Sequence, residues 1–342
     1  MTALGQTFLV GVLFLFMLSA PTFLSDHQTH ILIQILFFAY VSSCWNILGG
    51  FAGQLSFGHA LFLAVGAYTS TMLLLQFGVS PWIGMLVGGM LAGSLGLFIG
   101  YLSFRYGIKG TFFVLVTLAF AEIARIIALN TSAIGGASGL YIPIRGNDFW
   151  YLKFVNKAHY YYVIFGLLLV VLAVTAWLER SRTGHRLIAI RENEDAAQAL
   201  GINSLRYKLL ATALSAFLTA LGGTFYAHYV TFIDPSTLLN MNLALEITIY
   251  SIVGGIGTLL GPLLGAAVLV PIAETVRTEL GHNYAGVHLV VYGALLMIIV
   301  RYAPEGIIGL IRWLREQWAK SRSLPTHHTS EAKPWASSRF KV

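Results

Sequence analysis

The 342-residue chain is 57% hydrophobic and only 10% charged, and its mean hydropathy is +0.75. Soluble globular proteins have about a quarter charged residues, so this composition excludes an ordinary water-facing surface. The net charge of +7 does not indicate a nucleic acid partner, because the positive residues lie in short loops and in a tail, where the positive-inside rule explains them. The single cysteine, Cys44, excludes a disulfide framework or a zinc cluster. We therefore expect an all-α, multi-pass membrane protein.

The apolar runs, taken in chain order, predict about ten transmembrane helices, with eight as the lower bound. Residues 27–104 form a run of 78 without Asp, Glu, Lys or Arg, and one crossing needs ~20 apolar residues. No Lys or Arg precedes the first apolar run, so we interpret it as a retained helix rather than a signal peptide. The predicted spans are 7–24, 30–48, 57–77, 81–100, 111–130, 160–178, 209–231, 242–258, 261–275 and 287–302. We expect residues 1–320 to form the transmembrane domain and 321–342 a disordered cytoplasmic tail.

The Lys and Arg residues predict the orientation of these spans. With the N-terminus inside, 16 of the 21 Lys and Arg residues fall in cytoplasmic segments. These are Arg105, Lys109, Arg180, Arg182, Arg186, Arg191, Arg206, Lys208, Arg301, Arg312, Arg315, Lys320, Arg322, Lys333, Arg339 and Lys341. Only Arg145, Lys153, Lys157 and Arg277 fall outside, and Arg125 lies within a span. Cytoplasmic loops carry an excess of positive residues, so the pattern predicts that both termini are inside.

One predicted cytoplasmic loop, 179–208, is long. We expect a helix over 191–200, ended by Gly201 as a C-terminal cap. Its first turn is acidic, which complements the helix dipole, and one face is small and apolar. The turn residues are Glu192, Glu194 and Asp195, and the face residues are Ala196, Ala197, Leu200 and Ile202. The pattern fits a helix lying among anionic lipid headgroups, or a helix on which another protein docks.

Four separated segments carry a resemblance to a known family. Asp195-Ala196-Ala197, followed by three residues and Gly201, resembles the E-A-A-x3-G loop of ABC importer permeases, although the chain lacks the distal I-x-L-P of the broader pattern. The surrounding AIRENEDAAQALGIN resembles the LivM-type permeases of branched-chain amino acid importers, within the binding-protein-dependent transport permeases. The other segments are NILGGFAGQLSFGHALFLAVGAY at 46–68, TSAIGGASGLYIP at 131–143, and VGGIGTLLGPLLGA at 253–266 with PEGIIGL at 304–310.

The resemblance implies a multi-pass permease subunit in the bacterial inner membrane, which is a transporter and not an enzyme. It implies that the loop couples to a cytoplasmic ATPase through Arg191, Glu192, Asp195, Ala196, Ala197 and Gly201. The other implied partners are a second, LivH-like permease and a periplasmic binding protein. ATP and magnesium would be bound by the ATPase and no cofactor by this chain, which has no G-x-x-x-x-G-K-[ST] phosphate loop. Urea or a short amide is the alternative substrate.

Two glycine-rich segments, 49–58 and 254–261, have similar patterns and end predicted spans. Broken helices in transporters expose backbone groups to substrate, whereas glycines in membranes also permit close helix packing. Both interpretations stay open. The candidate pathway residues in or near these segments are Gly53, Gln54, Gly58, His59, Glu246, Gly255 and Gly257.

Charged residues within the predicted spans suggest further alternatives. Glu122 and Arg125 are three positions apart on one helix, so we expect a structural ion pair. A transporter driven by H⁺ or Na⁺ would need an intramembrane acid, for which Glu122 and Glu246 are available. Ser56 and His59 could serve an intramembrane enzyme, but the chain has neither a G-x-S-x-G nor an H-E-x-x-H motif. We expect no metal site.

Overall fold

The structure of the protein is a computed structural model that describes residues 23–143 and 148–280. It also describes positions 19, 21, 293–294, 297, 301, 306–310 and 314. The predicted tail, 321–342, lies outside the described residues, and so do most of the predicted spans 7–24 and 287–302.

The described residues are almost entirely helical. The α-helices are, in chain order, α1 (Asp26–Asn46), α2 (His59–Phe77), α3 (Pro81–Arg105), α4 (Thr111–Asn130), α5 (Lys157–Arg180), α6 (Arg182–Glu192), α7 (Glu194–Ala199), α8 (Ser204–Val230), α9 (Pro235–Leu238), α10 (Met241–Gly255) and α11 (Gly261–Leu280). A π-helical turn, Ile47–Phe51, extends α1, and two 3₁₀ turns, Ser132–Ile134 and Gly136–Ser138, follow α4. Two short strands, β1 (Leu140–Tyr141) and β2 (Phe232–Ile233), pair antiparallel.

Within the described residues, seven helical segments are long and apolar enough to cross a membrane. They are Asp26–Phe51, His59–Phe77, Pro81–Arg105, Thr111–Asn130, Lys157–Arg180, Ser204–Val230 and Pro235–Gly255. Each corresponds to a predicted span, whereas the predicted span 261–275 falls in a shorter apolar helix, Gly261–Val276. The all-α, multi-pass class is therefore confirmed, and the total of about ten spans stays a prediction.

The spans predicted to start at 209 and 242 begin earlier in the structure, and polar residues cap the earlier starts. The span predicted to start at 209 starts at Ser204, where the Asn203 side chain accepts a hydrogen bond from Arg206 N at 3.0 Å. The span predicted to start at 242 is preceded by α9, which the Asp234 side chain caps by accepting from Thr237 N at 3.0 Å. Such caps satisfy backbone N–H groups at a helix start.

The core of the bundle lies around α1, which packs against α5, α8, α10 and α11. Aromatic and aliphatic side chains of α1, including Ile33, Leu36, Tyr40 and Trp45, are fully buried there. The Tyr40 hydroxyl donates to the Leu218 carbonyl oxygen of α8 at 2.5 Å. Small residues bring α2 and α8 into backbone contact, since a Cβ on Gly66 would lie 2.0 Å from the Ala220 oxygen. This is close packing of the kind that small residues allow between membrane helices.

The connections between the spans collect at two opposite ends of the bundle. At one end, β1 pairs with β2, and Lys153 Nζ donates to the His228 carbonyl oxygen at 3.1 Å. At the other end, the segments 52–58, 106–110 and 256–260 surround α6 and α7. Successive spans are predicted to cross the membrane in alternating directions, so their connections must lie at opposite ends of the bundle, as they do here. That the second end faces the cytoplasm stays a prediction from the Lys and Arg pattern.

Candidate functional site

The segment between α5 and α8 folds as two helices, so the prediction of one helix over 191–200 is wrong. Helix α6 ends at Glu192, and α7 begins at Glu194. Asn193 between them has an extended backbone, and its side chain accepts a hydrogen bond from Ala196 N at 3.0 Å. An asparagine in this position caps the following helix. Arg191 and Glu192 therefore belong to the end of α6 rather than to the first turn of the second helix.

Helix α7 ends at a left-handed glycine. Gly201 has a φ of 82°, a conformation that costs little only for glycine. Ile202 N donates to the Ala197 carbonyl oxygen at 3.0 Å, and Gly201 N donates to that of Gln198 at 2.9 Å. A Cβ on Gly201 would have no neighbour within 4 Å. The need for glycine here comes from the backbone conformation and not from lack of space.

Lysines from two other elements hold the start of α7. The Glu194 carboxylate lies 2.7 Å from Lys208 Nζ of α8 and 3.2 Å from Lys109 Nζ in the loop after α3. Burial acts to raise the pKa of the Glu194 carboxyl, but the hydrogen bonds from the two lysines outweigh it and lower that pKa below its ordinary value. Gln198 Nε2 also donates to Ser204 Oγ at 2.7 Å. Helix α7 is thus fixed to the bundle at both ends.

The outward face of α7 is small and apolar. Ala196, Ala199 and Leu200 are exposed, and Leu200 retains 83% of its accessible surface. The sequence places Ala197 on this face, but the structure buries it to 4% exposure against its own chain. Ala199 was not predicted for this face, because a single helix that starts at 191 does not reveal the register of the second helix. We call Ala196, Ala199 and Leu200 the α7 face.

The side chain of Arg191 reaches from α6 to the first glycine-rich segment. Its Nη1 donates to the Gly50 carbonyl oxygen at 2.8 Å, and its Nη2 lies 2.7 Å from the Glu192 carboxylate. A Cβ on Gly53 would lie 2.6 Å from Arg191 Cγ, and one on Gly257 would lie 2.5 Å from Arg191 Nη1. The arginine therefore occupies space that exists only because glycines stand on both sides of it.

The two glycine-rich segments are joined to each other beside Arg191. The Asn46 side chain accepts from Gly257 N at 2.8 Å and donates to the Thr258 carbonyl oxygen at 2.9 Å. We call the group formed by Asn46, Gly50, Gly53, Gly257 and Arg191 the arginine junction. It unites Gly53 and Gly257, which the sequence assigned to a pathway, with Arg191, which the sequence assigned to coupling.

The other predicted pathway residues near the first glycine-rich segment bond within the chain. His59 is buried, with Nε2 2.7 Å from Ser215 Oγ, and Gln54 Nε2 donates to the Ala52 carbonyl oxygen at 3.1 Å. Ser56 Oγ accepts from Gly58 N at 3.1 Å, so the structure does not pair Ser56 with His59 as a nucleophile and base. One polar atom of each side chain is thus bonded, whereas Gln54 Oε1 and His59 Nδ1 are buried without a hydrogen-bond partner among the described residues. Packing and a pathway role therefore both stay open for these two residues.

The remaining predicted residues lie in α10 and α4. Glu246 is buried in α10, at 8% exposure. Gly255, at the end of α10, contacts the last described segment, since a Cβ on Gly306 would lie 2.7 Å from Gly255 N. Arg125 Nε and Nη2 donate to the two carboxylate oxygens of Glu122 at 2.8 and 2.5 Å.

Within the described part of the chain, no three His, Cys, Asp or Glu side chains could together hold a metal ion.

These elements define a multi-pass helical membrane protein, in which a short helix pair at one end is bonded to glycine-rich helix ends. The family described as branched-chain amino acid transport system, permease component, matches residues 29–300. The chain belongs to this family.

Individual relatives agree with this assignment and confirm the predicted resemblance to LivM-type permeases. The high-affinity branched-chain amino acid transport permease LivM of Escherichia coli K12 is 28% identical over 91% of this chain and 76% of its own length. The probable LivM of Methanocaldococcus jannaschii is 25% identical over 83% of this chain and 93% of its own. LivH of Escherichia coli K12 is 23% identical over 80% and 91%. No solved structure matches the chain.

Proposed function

We propose that this chain is one of two related membrane-spanning subunits of an ATP-driven importer for branched-chain or similar amino acids in a bacterial inner membrane. The family and the names of the relatives support the substrate class. The observation that carries the coupling role is the α7 face, because it is apolar and exposed while the helix behind it is bonded to the bundle. An exposed apolar surface of this kind is typical of a protein contact.

The proposed partner at the α7 face is a cytoplasmic ATPase. The chain has no phosphate-binding loop of its own, so ATP and magnesium would be held by that partner and no cofactor by this chain. The exposed Asp195, in the first turn of α7, lies beside the face and could pair with a charged residue of the partner. A periplasmic binding protein would deliver the substrate at the opposite end of the bundle.

The arginine junction gives this docking a mechanical consequence. Helix α6 is linked to α7 through a single residue, Asn193, so a displacement of α7 moves the end of α6 and with it Arg191. Arg191 bonds to Gly50 at the end of α1 and lies against Gly257 at the end of α10. Withdrawal of Arg191 would break that bond and leave the two helix ends joined by the hydrogen bonds of Asn46, so they would separate more easily. We propose that ATP binding and hydrolysis open and close the cytoplasmic end of the pathway in this way.

The alternatives carry less support. A transporter driven by H⁺ or Na⁺ needs an acid that is free to bind the ion, whereas both oxygens of Glu122 accept hydrogen bonds from Arg125. Urea or a short amide remains the alternative substrate within the same transport mechanism.

Reconstitution tests the proposed function. The chain would be co-expressed with the second permease and the ATPase, purified, and placed in proteoliposomes with the binding protein outside and ATP inside. We expect uptake of radiolabelled leucine that requires both ATP and the binding protein, and that unlabelled isoleucine, but not urea, inhibits. Uptake by this chain alone under a proton or sodium gradient, without ATP, would show that the proposed function is wrong.

A further inference from the structure

The outward surface of α4 differs from those of the other described spans. Only 22% of the most apolar 18-residue stretch of α4 is buried within the chain, which is the lowest share among the seven spans. Phe113, Thr117, Ala121 and Ala128 face the bundle. The opposite side forms a continuous stripe at helical spacing, made of Phe112, Leu115, Ala119, Glu122, Ile123, Ile126 and Ile127. We call this stripe the α4 face.

An ion pair lies on the α4 face near the middle of the helix. The side chains of Glu122 and Arg125 keep 49% and 32% of their accessible surface. Glu122 follows the first residue of α4, Thr111, by 11 positions, which at 1.5 Å per residue is about 16 Å along a helix of about 30 Å. The pair is therefore near the midplane of the bilayer. Charged groups at this depth face protein or water and not lipid tails, because lipid cannot solvate them.

The other well-exposed spans show what a lipid-facing surface looks like in this chain. The exposed large residues of α3 include Leu86, Leu97 and Phe98, and those of α5 include Leu169 and Val170. The Glu122–Arg125 pair lies near the middle of a span, whereas the pairs of Lys109, Lys208 and Arg191 involve the segments around α6 and α7. The α4 face therefore needs protein or water against it, which the α3 and α5 surfaces do not.

We propose that the α4 face is the surface on which the second, related permease docks, and that the docked chain covers the Glu122–Arg125 pair. This inference rests on the proposed function, which supplies the second permease. Two kinds of permease from one organism, LivM and LivH of Escherichia coli, both match this chain along most of its length. A partner with the same fold can pair through the same element in a nearly two-fold arrangement. The partner would then bring its own counterpart of α4 against this face.

Photo-cross-linking in membranes that contain the complete transporter tests this placement. A benzophenone amino acid would be placed at Ala119 or Ile126 on the α4 face. Leu97 of α3 and Val170 of α5, which are 43% and 49% exposed, provide matched controls on apolar surfaces. We expect adducts with the second permease from positions 119 and 126 and lipid adducts from 97 and 170. Adducts only with lipid or with a second copy of this chain at 119 and 126, or adducts with the second permease from 97 or 170 instead, would overturn the proposal.

Exchange of the two charges tests whether the Glu122–Arg125 ion pair itself, and not only the size of its side chains, supports binding of the second permease. Glu122→Gln leaves Arg125 without its carboxylate, and we expect several-fold less second permease to purify with this chain. Exchange of the two residues, Glu122→Arg with Arg125→Glu, retains an ion pair and is expected to restore most of the recovery. Unchanged recovery with Glu122→Gln would argue against the proposal. If a charge variant fails to insert, cross-linking of the chain with its native charges decides.

Failure of the inference can be told from failure of the proposed function. If the second permease purifies with the unaltered chain but cross-links through another helix, only the α4 placement is wrong. If no second permease purifies with the unaltered chain, the proposed two-subunit assembly is wrong and the inference falls with it.

Discussion

Arg191 and Gly50 are 141 positions apart in the sequence, and Arg191 Nη1 donates a hydrogen bond to the Gly50 carbonyl oxygen at 2.8 Å. The bond joins a helix that is expected to respond to an ATPase with the end of the most buried helix of the bundle. Gly257 of the second glycine-rich segment lies against the same guanidinium. The arginine junction therefore connects the helix pair that is proposed to contact the ATPase with the glycine-rich segments that are proposed to lie along the pathway.

Replacement of Arg191 should uncouple the transporter. Arg191→Ala removes a charged hydrogen bond, which contributes about 1.5–3 kcal/mol, and it leaves the α7 face unchanged. We expect leucine uptake to fall by about tenfold or more, as that free energy implies, while the ATPase still purifies with the chain.

Arg182→Ala is the matched control, because Arg182 is an exposed arginine at the start of the same helix. Arg191→Lys should retain part of the uptake, since an ammonium can reach the carbonyl but lacks the fork of the guanidinium. Equal uptake by Arg191→Ala and Arg182→Ala would contradict a role for the arginine junction in coupling.

A methyl group on Gly257 should have a similar effect for a steric reason. Gly257 has a φ of 72°, and its Cβ would lie 2.5 Å from Arg191 Nη1 and 3.1 Å from the Gly50 carbonyl oxygen. We expect Gly257→Ala to displace Arg191 and to lower uptake without loss of the bound ATPase. Gly166→Ala is the control, because a Cβ on Gly166 meets no neighbour within 4 Å. If the two variants transported leucine equally well, the tight fit around Arg191 would have no functional importance.

Acid should release α7 from the bundle. The lysines beside Glu194 hold the pKa of its carboxyl below the ordinary value of 4.5, so the stabilisation is present above that value and is lost as the pH falls through the lowered pKa. We expect Glu194→Gln to imitate the acidic form at neutral pH, with a loss of roughly 1–3 kcal/mol in the anchoring of α7. Hydrogen exchange of the α7 amides provides the measurement. Equal protection of α7 in both proteins at pH 7, and no loss of protection in the unaltered protein on acidification, would contradict this role of Glu194.

Lys153 should give the opposite end of the bundle a pH dependence in the alkaline range. Burial lowers the pKa of this lysine from 10.5 to about 8. The folded state therefore binds this proton less readily than the unfolded state, and stability rises with pH between about 8 and 10.5. We expect the Tm of the unaltered chain in detergent to rise across this interval relative to that of Lys153→Met. A constant difference in Tm between the two proteins would show that the pKa of Lys153 is not lowered.

The sequence was sufficient for the spans because each needs a long apolar run bounded by polar residues, and seven of the predicted spans appear in the described residues. The sequence did not predict the correct helices within 179–208, where Asn193 follows the end of one helix and caps the start of the next. An asparagine among Glu192, Glu194 and Asp195 looks like one more polar residue of a helix surface. Only its backbone conformation and its hydrogen bond from Ala196 N identify it as a cap.

The arginine junction could not be predicted because its members are brought together by tertiary packing. Asn46 and Gly50 stand four apart in the sequence, but nothing there indicates that Arg191 or Gly257 lies beside them. Gly53 and Gly257 were selected from the sequence as pathway candidates, and the structure gives two reasons for glycine at these positions, a positive φ and the space that the Arg191 side chain fills. The burial of Ala197 was missed for a related reason, since the helix register was set from the wrong starting residue.

Docking of an ATPase on the α7 face is tested most directly by placing a charge on that face. Leu200 and Val155 are both 83% exposed, but Val155 lies at the opposite end of the bundle, so Leu200→Asp and Val155→Asp form a matched pair. The amount of ATPase that purifies with each variant from co-expressing cells is the measurement. We expect Leu200→Asp to lose the ATPase and Val155→Asp to retain it. Equal recovery of the ATPase with both variants would contradict the claim.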